Sequence, residues 1–272
     1  MLAEPSTVEG LTVNAIEKTL SMLEAIAAAD TGSSLAALSA RVGVPKPTAH
    51  RILQVLADGS YVVTDGKGSY HGGPALVALA GSVFGGLEIT RLARAAVLDL
   101  RGKTGHTVHL AVRNGDRACY VDKAEADRPF QMVSRVGMSI PLHCTSIGKA
   151  ILAALPGPEA LGLLSSAGLE RRTPRTLTSA RQVLADLSQV RQRGYSVDDE
   201  ENEVGVRCVG AAIYDGTGQA VGAVSISALT FLLSADEVDE AGQAVVSAAA
   251  AISAALGART YPPASNGRPE QQ

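Results

Sequence analysis

The stretch that most constrains this chain is residues 35–58, LAALSARVGVPKPTAHRILQVLAD. It predicts two short helices joined by a tight turn. Leu35 and Leu38 give the first helix an apolar side, and Ser33 or Ser34 can cap its N-terminus. Gly43 supplies a residue that tolerates positive φ just past the helix end. Pro47 fits the first turn of the second helix, where a missing N–H costs nothing. Ala49, Ile52, Leu53 and Leu56 recur at helical spacing and should face inward, which leaves Thr48, His50, Arg51 and Gln54 on the other side. Such a pair is the helix-turn-helix pattern for entering the DNA major groove, although an ordinary buried helical hairpin has the same local features.

The flanking residues favour DNA binding. Gly59 should end the second helix, Tyr61 to Val63 reads as a strand, Asp65 to Gly68 as a turn and Ser69 to His71 as the returning strand. A hairpin directly after the second helix makes a winged helix with Lys67 at the wing tip. Upstream, Ile16, Leu20, Leu23 and Ala27 form the expected inward stripe of a first helix.

Charge qualifies this reading. Residues 1–73 hold five Lys/Arg against seven Asp/Glu, and the whole chain carries a net charge of −3. The distribution matters more than the sum: Glu4, Glu9, Glu17, Glu24 and Asp30 precede the hairpin, whereas Arg41, Lys46, Arg51 and Lys67 sit in it or on the wing. With so few cations, one copy should bind DNA weakly, which favours an oligomer presenting two or more.

The 272 residues leave room for two domains and a sizeable core. No run reaches the roughly 18 apolar residues of a membrane span, and no signal segment opens the chain, so a cytoplasmic location without membrane contact is expected. Cys119, Cys144 and Cys208 lie far apart without zinc-like spacing and are expected to be free thiols; no metal or cofactor is expected.

In order, the chain divides into a reader, a connector and a sensor. Residues 1–12 have little pattern and are expected to be mobile; 13–73 form the winged helix and 74–92 a linker helix. The helical stretch from Pro74 breaks near Gly85-Gly86. Leu76, Leu79, Ala80 and Val83 make a stripe before the break, and Ile89, Leu92, Ala96 and Leu100 one after it. In 93–258, strands are expected at His106–Val112, around Cys119–Val121, at Gln131–Val136, and as a hairpin of Arg207–Tyr214 with Ala220–Ser227. Helices are expected from Thr145 or Ser146, from Thr178 or Ser179 to Arg193, and from about Ala235 to Leu256. Residues 259–272 read as a disordered tail. The fold class is α+β, with an antiparallel sheet flanked by helices in the second domain.

Catalytic signals are weak. Gly216, Gly218 and Gly222 sit inside a hairpin with no helix following, so phosphate-cradling geometry is absent. The acidic run Asp198–Glu201 reads as a solvated loop, and His106, His109 and His143 read as structural. Cys144 beside His143 raises a thiol nucleophile without establishing one. More informative is Ser225-Ile226-Ser227. In a strand both hydroxyls share one face, where either protein groups or a polar ligand must satisfy them.

Three separated segments, VGVPKPTAHRILQVLADGSYV, PLHCTSIGKAILAAL and GYSVDDEENEVGVRCVGAAIYDGTGQAVGAVSIS, occur in the order found in the IclR family of bacterial transcriptional regulators, which the chain resembles over residues 13–258. The resemblance implies a winged helix, a dimerising linker helix and a GAF-like effector domain. It also implies a homodimer or homotetramer on double-stranded operator DNA, acting as repressor or activator. DNA contacts would come from Lys46, Thr48, His50, Arg51, Gln54 and Lys67. The effector, a small organic molecule with one polar end such as a carboxylate or carbonyl compound, would be held by Ser146, Ile147, Asp198, Cys208, Ser225 and Ser227, with Met132 and Ile140 as apolar walls. Two departures matter. Ile147 stands where members that bind small oxo-acids have small residues, and Pro47 where Ser or Thr is frequent. No catalytic residue is expected. The rival readings are a ligand-binding protein whose winged helix makes protein contacts, and a thiol enzyme using Cys144 or Cys208.

Overall fold

The computed structural model describes residues 9–262 apart from 30, 87 and 128–131, without the side chains of 9–14 and 81–86. The expected mobile ends at 1–8 and 263–272, Gln131 of the expected third strand and the Val83 side chain therefore lie outside the described residues. The chain divides into two compact units, residues 1–86 and 87–272.

The first unit contains α1 (Glu9–Ala27), β1 (Ser33–Ser34), α2 (Leu35–Val42), α3 (Lys46–Asp58), β2 (Val62–Thr64), β3 (Ser69–Gly72) and α4 (Pro74–Gly86). Ser34 caps α2 by accepting the Ala37 N–H, and Gly43 closes it in the left-handed region at φ 70°. The Ser39 hydroxyl donates to the Val44 carbonyl at 2.6 Å, fixing the turn into α3. Strands β2 and β3 form the wing, and β1 adds to its inner side in the order β1-β3-β2. Leu38, Val44, Ala49, Leu53, Leu56 and Val62 build the core with Met22, Ala25 and Ile26 from α1.

That core corrects the reading of α1. The helix begins at Glu9, inside the segment expected to be mobile, and its inward stripe is Met22, Ala25 and Ile26 with half-buried Leu23. Ile16, Leu20 and Ala27 face out instead, Ile16 at 57% and Leu20 at 55% exposure. Both sets repeat at helical spacing, so periodicity alone does not choose between them; packing against α2 and α3 does. On α4, Val77 and Leu79 are likewise exposed.

The second unit contains α5 (Glu88–Thr104), β4 (Thr107–Asn114), β5 (Arg117–Ala124), β6 (Ser139–Pro141), α6 (Ser146–Ala154), α7 (Gly157–Ser166) and α8 (Ala180–Arg193). Strands β7 (Ser196–Asp199), β8 (Val206–Tyr214) and β9 (Ala220–Leu229) follow, then α9 (Val238–Ala255). The six strands form one antiparallel sheet in the order β6-β5-β4-β9-β8-β7. Helices α5 and α9 pack together and on β4, β8 and β9, while α6 lies on the opposite face and carries α8. Under α6 the facing residues Ala111, Ala223 and Ala212 form one row, small enough for close helix approach.

Sequence periodicity missed α7 and β7. It also placed a strand over 131–136, whereas Met132–Val136 is irregular and the pairing strand is β6. The reason is local. Lys123 Nζ donates to the Met132 and Ser134 carbonyls at 3.0 and 2.8 Å, and Gly137 N–H reaches the Tyr120 carbonyl. These polar demands are met by a lysine and a turn rather than a ladder. At the far end, Tyr261 donates its hydroxyl to the Ala212 carbonyl at 2.8 Å, tying residues expected to belong to the tail onto the sheet.

Candidate functional site

In the first unit, burying Ala49, Leu53 and Leu56 turns Lys46, His50, Arg51 and Gln54 to solvent, with Thr48 half-buried. Pro45 stands at the N-cap of α3 and Pro47 in its first turn, and the helix has no side-chain cap. Its open first-turn N–H groups and the positive end of its dipole suit a phosphate oxygen. Lys67 is exposed in the wing turn. Asp65 holds that turn by accepting the Lys67 and Ser69 N–H groups at 2.8 and 3.1 Å, bonds that keep its carboxyl below the ordinary range. The exposed side chains named from sequence therefore share one helix face, with Lys67 on the neighbouring hairpin.

In the second unit, the face covered by α6 changes from alanine to polar residues. The register aligns Ser196, Gly210, Ser225, His109 and Lys123 in one row, and Asp198, Cys208, Ser227 and Thr107 in the next. Directly opposed residues of antiparallel strands share a face, so two polar rows lie side by side beyond the alanine row. The N-terminus of α6 sits over the first of them: Ser196 Oγ donates to the Ser146 carbonyl at 2.6 Å. A Cβ on Gly210 would lie 3.0 Å from the Ser146 carbonyl carbon, so glycine is what lets this backbone come so close.

His109 is the hub of these rows. Its Nδ1 pairs with Ser227 Oγ at 3.3 Å, its Nε2 with Ser134 Oγ at 2.6 Å, and its ring stacks on Tyr120 at 4.7 Å between centroids. Burial, reinforced by the Lys123 charge, pushes the imidazole down to about 3, so it is neutral at physiological pH. Asp198 is 2% exposed, and its Oδ1 accepts the Glu201 and Asn202 N–H groups at 2.8 and 3.2 Å. Burial outweighs those bonds and pushes its carboxyl up to about 7. Burial and Asp198 also raise the Cys208 thiol, while Ser227 hydrogen-bonds it.

The structure thus brings Asp198, Cys208, Ser225 and Ser227 together on one face. Ser146 contributes backbone over that face. Ile147 and Ile140 are buried in the core cluster beside it, with Leu142, Ala150 and Ile151. Met132 is half-buried and meets the site through its carbonyl on Lys123. Sequence reasoning missed His109, Tyr120, Lys123 and Ser134. The available signal was alternation: if Val108 and Leu110 face the core, His109 shares the Ser225 and Ser227 face.

The acidic run is not the solvated loop expected. Asp198 and Glu201 are buried, and Asp199 pairs with Arg207 at 2.6 Å. Glu201 pairs with Lys149, itself 1% exposed, and Asp186 reaches the same ammonium at 2.9 Å. Burial penalises that ammonium, yet the two carboxylates hold its pKa above the ordinary value. Cys144 is fully buried, and burial pushes its thiol up to about 12. The neighbouring His143 ring donates Nε2–H to the Glu170 carbonyl at 3.0 Å. No group of three or more His, Cys, Asp or Glu side chains among the described residues is arranged to hold a metal ion.

A winged helix in one unit and a helix-covered sheet with buried polar rows in the other define a helix-turn-helix transcriptional regulator with a separate ligand-type domain. Residues 15–66 match the IclR helix-turn-helix domain and residues 81–254 the bacterial transcriptional regulator IclR C-terminal domain. The HTH-type transcriptional repressor AllR of Escherichia coli K12 is 32% identical over 261 residues, spanning 96% of each chain. The crystal structure of Thermotoga maritima IclR is 32% identical, with a TM-score of 0.73, covering 90% of this chain and 99% of that one. An IclR homologue from Microbacterium hydrocarbonoxydans, crystallised with 4-hydroxybenzoate, shares the fold at a TM-score of 0.76 and 22% identity, covering 89% and 98%. The chain belongs to the IclR family of bacterial transcriptional regulators.

Proposed function

We propose that this protein is an operator-binding repressor whose DNA affinity is set by a small organic acid bound over the polar rows of the second unit. One observation carries the reading: Ser225, Ser227, Cys208 and Asp198 converge with neutral His109 beneath the N-terminus of α6, which Thr145 caps by accepting the Gly148 N–H. A carboxylate there meets hydroxyl donors and the positive end of a helix. Asp198, raised to about 7, in its protonated form donates a hydrogen bond to such a ligand rather than repelling it. Repression is inferred from the AllR relatives, and an organic acid accords with the 4-hydroxybenzoate of the Microbacterium homologue.

Arg51 and His50 read base edges or phosphates from α3, helped by Lys46, Thr48 and Gln54, and Lys67 meets the backbone from the wing. Two copies associate through α4 and α1, whose exposed Leu79, Val77, Ile16 and Leu20 need covering. Their recognition helices then meet half-sites about 10–10.5 bp apart or a multiple of that. Leu79→Glu should weaken association and DNA binding together, which sedimentation and band-shift measurements can follow. Raised thiols and a His143 ring committed to a backbone carbonyl weigh against thiol catalysis.

The test is operator binding with and without small carboxylates. Ser225→Ala with Ser227→Ala should abolish the response to the active acid while leaving acid-free DNA binding within about twofold. An undiminished response would remove these hydroxyls from the ligand site.

A further inference from the structure

The sheet of the second unit ends at β7, and the register fixes where the free backbone groups of that edge point. Thr230 N–H donates to the Gly205 carbonyl at 2.9 Å, so the odd residues at this end of β8 bond to β9. Glu200 N–H donates to the Val206 carbonyl at 3.0 Å, so the even residues of β8 bond to Ser196, Asp198 and Glu200. The N–H and C=O groups of Val197 and Asp199 therefore point out of the edge, and among the described residues they meet no partner.

A cleft of about 470 Å³ runs beside this edge. Gln182, Ala185, Asp186, Gln189 and Arg193, one stripe of α8, form its other wall, and Lys149 of α6 lies at its floor. Val197, Leu177 and Ala185 line it as half-buried or exposed apolar side chains, so an aliphatic stem can lie against them. An open strand edge that faces a helix across a cleft suits an extended segment adding as a further strand.

Charge selects the segment. Glu201 and Asp186 share the one Lys149 ammonium, which leaves a negative charge in excess. Glu201 is 8% exposed, and its Oε2 has no hydrogen-bond partner among the described residues. Asp186 turns Oδ2 to Lys149 at 2.9 Å, while its Oδ1 accepts no bond among the described residues and the side chain is 24% exposed. Asp199 and Glu200 are already paired with Arg175, and Asp199 with Arg207 as well. About 10 Å further along α8, Arg193 donates Nε–H to the Tyr195 carbonyl at 2.7 Å and closes that end with positive charge. One cation at Asp186 is therefore favoured, and a basic run is not. A second copy of β7 would set Asp198 against Asp198, so the edge does not suit its own chain. We propose that the cleft between β7 and α8 binds an extended peptide segment with a single lysine, its backbone paired to Val197 and Asp199 and its ammonium on Asp186. The cleft is separate from the polar rows, although Glu201 N–H on Asp198 Oδ1 at 2.8 Å joins its floor to them.

Fluorescence anisotropy of a labelled acetyl-Thr-Val-Lys-Val-Thr-amide peptide, titrated with the full chain, tests this. Saturable binding is expected. It should weaken about tenfold or more when norleucine replaces the lysine, and equally when both valine nitrogens, which face the strand edge, are methylated. On the protein, Ala185→Lys puts a cation on an exposed position of the α8 wall and Asp186→Asn removes the acceptor charge; each should cost a similar factor. Ala185→Lys should leave the melting temperature unchanged. Binding should persist in Arg51→Ala and in Ser225→Ala with Ser227→Ala. The proposal is overturned by absence of saturable binding, by a norleucine or N-methylated peptide that binds as tightly, or by binding that survives both Ala185→Lys and Asp186→Asn. Displacement by n-butylamine at the concentration of unlabelled peptide, or loss of binding in the Arg51 or serine variants, would overturn it as well.

Discussion

The two units hold their candidate functional groups in opposite ways. In the first, Arg51, His50, Gln54 and Lys67 stand in solvent on a helix and a turn whose shapes are set within a few residues. In the second, Asp198, Ser225, Ser227 and His109 are each buried and meet only because β7, β8, β9 and β4 pair in one register. A macromolecular partner such as DNA is met by exposed side chains with local geometry. A small ligand is met by desolvated groups, whose energies are larger and whose assembly depends on the whole sheet. Substitutions in the first unit should therefore change binding and spare stability, and those in the second should change both.

The largest effect expected from this contrast is on Lys149. Lys149→Met leaves Glu201 and Asp186 facing each other without their shared cation, and breaking such a buried pair costs about 3–5 kcal/mol. Denaturant unfolding should show that loss, and Glu201→Gln added to Lys149→Met should recover part of it. A near-neutral Lys149→Met would mean that water solvates this cluster.

Next in size is Arg51→Ala. If Arg51 reads a guanine edge, operator affinity should fall by about 1–3 kcal/mol with relaxed preference at one position, and melting temperature should not move. Equal affinity for every base at that position in the wild type would confine Arg51 to phosphate contact.

The two units differ equally in how far sequence could disclose them. Ser34, Gly43, Pro47 and the Ala49–Leu56 stripe act within one or two turns of chain, so the helix-turn-helix and its exposed face were legible. The α1 stripe was not, because Met22–Ala25–Ile26 and Ile16–Leu20–Leu23 are equally periodic and only tertiary packing separates them. In the second unit, Ser225 and Ser227 were visible as a local alternation, and the family motifs pointed to Asp198 and Cys208. His109 was passed over because its partners Ser134 and Tyr120 are brought to it by an irregular segment and a neighbouring strand. Lys149 hid in an apolar helix because its partners lie far along the chain.

A pH effect of intermediate size should separate the units further. The Asp198 carboxyl is raised from 3.8 to about 7, chiefly by burial. A raised carboxyl favours the folded state below its unfolded value, and that contribution is lost as pH climbs through about 7. Affinity for a carboxylate ligand should follow the same direction, falling up to about tenfold per unit above 7 as Asp198 ionises. Asp198→Asn should flatten the profile. Acid-free operator binding should not share this dependence.

The smallest effect lies at the wing. Lys67→Ala should weaken binding to all sequences alike and lower the salt slope by about one, read from operator titrations at several salt concentrations. A sequence-dependent loss would place Lys67 in a groove instead.

The most direct measurement is an anisotropy titration of one operator fragment with wild type, Arg51→Ala and the Ser225→Ala, Ser227→Ala double variant, each with and without the active carboxylate. Arg51→Ala should bind the operator weakly yet keep wild-type affinity for the acid by calorimetry. The serine variant should bind the operator as wild type does and ignore the acid. If Arg51→Ala lost the acid, or the serine variant still answered to it, the division of labour between an exposed reading face and a buried ligand face would be contradicted.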